Sequence, residues 1–188
     1  MYHATKLKIA RRARRLFATR TARRLMRRED GAAAVEFAIV VAPFLALMFA
    51  ILETGLVFFA GQTLETVAAD SARLIMTGQA QNAGMSQSAF TTAVCNKVVA
   101  MFTCSSMLLD VKTYSNFSGA DTSLPIDSKG NVNSAGFGFQ PGGPGDIVVM
   151  RLMYPWPTFM SLLGFSLSNM SGNNRLLMAT VSFRNEPF

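Results

Sequence analysis

Residues 30–52 read DGAAAVEFAIVVAPFLALMFAIL, and the fold depends on how this run is understood. From Phe37 to Leu52 there are 16 residues without a charge, and extension back to Ala32 gives 21, interrupted only by Glu36. As a helix rising about 1.5 Å per residue, those 21 residues span about 32 Å, the thickness of a bilayer's hydrocarbon core. Glu36 then falls near one membrane face and Glu53 near the other, where each can reach polar headgroups. Pro43 lies within the run. It removes one backbone hydrogen bond, to the carbonyl of Ile39, and should kink the helix; membrane helices tolerate such prolines.

Upstream lies a basic block, KLKIARRARRLFATRTARRLMRRED. Residues 1–30 hold 11 of the 18 Lys and Arg but only 2 of the 11 Asp and Glu, a net charge of +9. The remaining 158 residues carry −2, so the chain's overall +7 belongs to a tail. Three readings compete for this tail: phosphate contacts to nucleic acid, a cytoplasmic flank that fixes membrane orientation, or a basic helix on anionic lipid. It runs directly into the apolar segment and contains no base-reading motif, so the membrane readings are favoured and no nucleic-acid partner is expected. Positive flanks remain inside, which places the N-terminus in the cytoplasm and everything after about residue 53 outside. A cleaved secretory signal fits poorly: the apolar run exceeds a usual signal core, and no A-x-A site follows. Hydrophobic residues at 50% and charged residues at 15% suit a membrane-anchored chain.

Within the run, Ala34, Ala38, Ala42, Ala46 and Ala50 recur at every fourth position. They form a slanted row of small side chains, a candidate helix-packing face along which a second backbone can approach closely in lipid.

The segment GAAAVEFAIVVAPFLALMFAILETGLVFFAGQTLETVAADSAR, Gly31 to Arg73, resembles TadE-like proteins of the tight-adherence (Flp-type) pilus machinery. The resemblance is carried by Gly31, Glu36–Phe37, Pro43, Glu53, Gln62 and Ala72–Arg73, and the terminal FRNEPF is similar to the way such proteins end. It implies a minor pilin or pseudopilin, cut by a membrane prepilin peptidase at a Gly31–Ala32 junction. Glu36 and Phe37 would then be the fifth and sixth mature residues. The implied partners are that peptidase, other pilus subunits, inner-membrane assembly proteins and the lipid bilayer. The implied location is the inner membrane, single-pass, with a periplasmic C-terminal domain and incorporation in an extracellular pilus. A cut after Gly31 would create a positive amine on Ala32, one helical turn from the Glu36 carboxylate and close to the helix N-terminus, where negative charge is favoured by about 0.3–1 kcal/mol. Glu36 could pair with its own amine or with a neighbouring subunit's. An uncleaved single-pass assembly factor of the same system remains the alternative.

Three segments are expected: a basic leader over 1–31, a transmembrane and continuation helix over 32–78, and a periplasmic α+β domain over 79–188. Leu64, Val67, Ala68, Ser71, Ala72 and Ile75 follow helical spacing, with Gly78 as a stop. Asp70 and Arg73, three apart, are expected to pair at the surface. A second helix is expected over about 88–102, capped by Ser86 or Ser88, with Phe90, Val94, Val98 and Met101–Phe102 as its apolar face. Strand-like runs at 107–117, 146–154 and 176–183 suit a mostly antiparallel three-stranded sheet. Residues 118–145, with GFGFQPGGPG, read as a long loop that matches no phosphate-binding pattern. Residues 154–167 form an apolar cluster that either packs under the sheet or meets a bilayer or partner.

Cys95 and Cys104 would both be exported, where disulfides persist. On one helix their Cα atoms would be about 13 Å apart, so a bridge requires the helix to end between them. Cys95 and Cys104 lack further ligands for zinc, because the sole histidine, His3, lies in the leader. The same residue's position forbids a histidine-based catalytic triad outside the membrane. No catalytic residue, metal or cofactor is therefore expected, and the predicted role is assembly through contacts.

Overall fold

The computed structural model describes residues 29–98, 101–159 and 166–188. The basic leader up to residue 28 lies outside the described residues. The described residues fall into two units, one ending at Phe49 and the other Ala50–Phe188. Helix α1, Glu29–Met76, supplies the described part of the first and opens the second. It begins three residues before the expected Ala32 and runs without a break through Pro43. In the first unit nearly every side chain from Ala32 to Phe49 is exposed, bulky apolar ones included.

The second unit is α+β, as the alternation of the strand-like runs predicts. Strands β1 (Leu108–Tyr114), β2 (Ile147–Pro157) and β3 (Asn174–Arg184) form an antiparallel sheet in that order. Leu109 faces Leu152 and Val111 faces Met150, and across the other ladder Leu152 faces Ala179 and Val148 faces Phe183. These residues share one sheet face with Tyr154 and Leu177. Against it α1 lays Val57, Ala60, Leu64, Val67, Ala68, Ala72 and Ile75, spaced three and four apart as one helical stripe requires.

Helix α2 is a single turn, Gln79–Asn82, and α3 is Gln87–Cys95. Ser86 caps α3 by accepting the Ala89 N–H at 3.2 Å. Phe90 and Val94 are buried. The expected helix to 102 is corrected: α3 ends at Cys95, which is bridged to Cys104 with Cα atoms 5.7 Å apart. That separation is what a bridge needs, and a helix through both residues would more than double it.

Two further expectations are corrected. Asp70 and Arg73 form no ion pair among the described residues; Lys97 instead donates to the Asp70 carbonyl at 2.8 Å. The apolar cluster from 154 is divided, because Tyr154–Pro157 belong to β2. Two prolines fit the central strand because β1 pairs only as far as Met153. The Thr158 N–H donates to Asn173, so by strand alternation Pro155 and Pro157 turn their nitrogens away from β3, toward the side β1 no longer covers. Met160, Leu162, Leu163 and Phe165 lie outside the described residues.

Residues 118–145 are held in place by hydrogen bonds. Val111 N–H donates to Gly138 and Gln140 N–H donates to Val111, so this connection covers the free edge of β1.

Candidate functional site

Gly31 and Ala32 occupy the first turn of α1, where backbone N–H groups have no partner inside the helix. Glu36 follows one turn later, and both it and Phe37 are exposed. Ala34, Ala38 and Ala42 are exposed, while Ala46 and Ala50 are half-buried. Phe37, Ile39, Val40, Phe44 and Leu47 surround this row, all exposed. The helix is long and apolar enough to cross a membrane, and among the described residues none of its apolar 18-residue window is buried. Chemically, this half of α1 offers a carboxylate at one end of an apolar rod that carries a row of small side chains.

Glu53 departs from the sequence reading. Instead of reaching for headgroups, its side chain is buried, and its Oε1 accepts the N–H of Phe159, just beyond β2. Periodicity gave no hint of this, because the partner is a backbone group 106 residues away.

Sequence reasoning also missed a buried ion pair on the sheet face opposite α1. Asp110 alternates with the apolar Leu109 and Val111 along β1, yet it is 1% exposed. Arg151, its cross-strand partner in the register, donates from Nη2 at 2.7 Å and from Nε at 3.2 Å to Asp110 Oδ2. Asp110 Oδ1 accepts the Gly138 N–H at 2.9 Å. Arg151 Nη1 donates to the Ser123 carbonyl at 3.3 Å and reaches Asp121 at 3.5 Å. The available signal was a lone acid and a lone arginine in apolar strands, followed by a loop long enough to bury them. A cavity of about 310 Å³ opens beside the pair, lined by Lys112, Asp121, Asn133 and Phe137 among others. The Ser123 hydroxyl and N–H both donate to Asp121 and hold its carboxyl below the usual value, with Arg151 and Lys112 adding to the effect.

The terminal FRNEPF is anchored in the second unit. Glu186 N–H donates to the Met76 carbonyl at the end of α1. The Asn185 amide donates at 2.9 Å to both Pro141 and Gly143, and Gln81 Nε2 donates to Pro141 and Gly142. Among the described residues no cluster of His, Cys, Asp and Glu has the grouping of a metal site.

The family model described as TadE-like protein matches residues 31–73. No curated protein matches, and neither does any solved structure.

Proposed function

We propose that this chain is a minor pilin-like subunit of a tight-adherence pilus system, anchored in the inner membrane by α1, with its N-terminus cytoplasmic and residues after α1's apolar run exported. A prepilin peptidase cuts between Gly31 and Ala32, and Glu36 neutralises the new amine as the helix joins its neighbours along the alanine row. The work is done by contacts, not catalysis. One observation carries this reading: the TadE-like match begins at Gly31, the residue immediately before the proposed cut, and covers the apolar rod with Glu36 near its start. An unpaired acid at bilayer depth costs about 3 kcal/mol, so pairing can set the register between packed subunits.

The junction lies in the first turn of α1. Helix ends open at little free-energy cost, which gives a peptidase access to it. The test is the N-terminal mass of protein recovered from a host that has the peptidase. A chain starting at Ala32 is expected. Recovery of residues 1–31 intact would favour an uncleaved assembly factor, the second reading, which has in its favour that α1 is already helical upstream of the junction.

A further inference from the structure

We infer that the outer boundary of the bilayer lies at about Ala60, not at Glu53, and that the corner of the second unit around Phe159 is embedded in the outer leaflet. This rests on α1 being a membrane helix and adds the depth to which the folded unit is sunk.

Polarity carries the first part. Between Phe37 and Leu64 the only charged residue is Glu53. It is 7% exposed and accepts a hydrogen bond from Phe159 N–H, inside its own unit. Thr54, the next polar side chain, donates to the Ala50 carbonyl at 2.8 Å. Hydroxyls bonded back to the preceding turn are the form in which threonine enters lipid. Neither residue marks a water boundary. The first charged side chain exposed after Glu36 is Glu65.

Length carries the second. Counted from Ala32, a span ending at Leu52 reaches about 32 Å, but with the Glu36 carboxylate held at the inner headgroups the uncharged span starts at Phe37, and from Phe37 to Leu52 it is about 24 Å long, short of a hydrocarbon core of about 30 Å. A span from Phe37 to Ala60 is about 36 Å, an excess that ordinary helix tilt absorbs.

Surface carries the third. Glu53, Val57 and Ala60 are buried, while Ile51, Leu52, Leu56, Phe58 and Phe59 are exposed on the rest of the helix. Phe159 is exposed at 79%, and its own N–H ties it to the level of Glu53. Seven residues separate Glu53 from Ala60, so Phe159 sits about 10 Å beneath the boundary. The occupant of this collar is phospholipid, because the collar continues the membrane-spanning surface of the same helix without a polar break.

The test is site-directed spin labelling of the full-length protein in vesicles of phosphatidylethanolamine and phosphatidylglycerol. Single cysteines replace Leu45, Phe59, Ala69 and Phe159 in turn, with the native disulfide intact. All four residues are exposed, so the labels need not disturb packing. Labels at Leu45, Phe59 and Phe159 should relax with oxygen and be shielded from a water-soluble nickel chelate, and the label at Ala69 should do the reverse. Chelate access at Phe59 and Phe159 with Leu45 still shielded would overturn the boundary and leave the membrane helix standing. Chelate access at Leu45 would overturn both. Spin–spin broadening at Phe59 that vanishes on dilution with unlabelled protein would assign the collar to a second copy and overturn the lipid assignment.

Discussion

Asp110 is the residue whose role contrasts most with its sequence setting. In a strand reading Leu-Leu-Asp-Val-Lys, an acid between apolar neighbours ordinarily points to water. Here its side chain points to the sheet face opposite α1, but the connection 118–145 covers that face, so the carboxylate needs a partner and finds Arg151. Alternation within a strand reports which side a residue faces, not whether a distant loop later covers that side. Removing one member of a buried pair strands the other, at a cost of about 3–5 kcal/mol. Asp110→Ala should therefore lower the denaturant midpoint of the detergent-solubilised chain by that equivalent. The double replacement Asp110→Leu with Arg151→Met should cost less than Asp110→Ala alone. Asp121, on the rim of the same site, supplies a pH signature. Its folded pKa is lowered by the Ser123 hydrogen bonds, so its contribution is complete above the unfolded value of 3.8 and is lost as pH falls through the folded value. The Ser123 amide should exchange with deuterium faster, relative to intrinsic rates, as pH drops through that window. Asp121→Asn should abolish this pH dependence.

At the scale of elements, the sheet was legible because period-2 alternation survives burial on one face. Leu109 and Val111 alternate with Asp110 and Lys112 in β1, and Leu177, Ala179, Val181 and Phe183 recur at every second position of β3; all six pack in or against the core, Val181 only partly buried. The end of α3 was legible only as a condition, since the cysteine spacing states what a bridge needs and not whether it forms. Closing a loop of about ten residues restricts the unfolded chain by about 2–3 kcal/mol. Replacing Cys95 and Cys104 together by Ala should reduce stability by that amount, read as a matching drop in the denaturant midpoint. The turn after α1 was read correctly from Gly78, whose φ of 76° suits glycine. A second reason for glycine there was not legible: an added Cβ would collide with the ring of Phe188, at the far end of the chain. Gly78→Ala should cost about 1–2 kcal/mol from backbone conformation alone, plus a steric part. Adding Phe188→Ala should return the steric part and leave the backbone part.

For the whole molecule, the governing fact is charge asymmetry about the apolar helix α1. The leader's +9 stands against −2 for everything after it, and no Lys or Arg occurs between Gly31 and Arg73. Orientation is set by Lys and Arg close to a span, so the bias here is one-sided and strong. The disulfide supplies an internal record of the outcome, since a Cys95–Cys104 bridge persists only where the second unit reaches an oxidising compartment. In cells, wild-type chains should resist alkylation by a thiol reagent unless first reduced. Replacing the nine leader arginines by Gln removes most of the asymmetry while leaving α1 intact. A fraction of those chains should then retain the second unit in the cytoplasm, with both thiols reduced and alkylated without prior reduction. That fraction should also be cut by protease only after the membrane is opened. If the Gln variant remained fully bridged and accessible from outside, the leader would not be what orients the helix. The information for direction would then have to lie within α1 or in the folding of the exported unit itself.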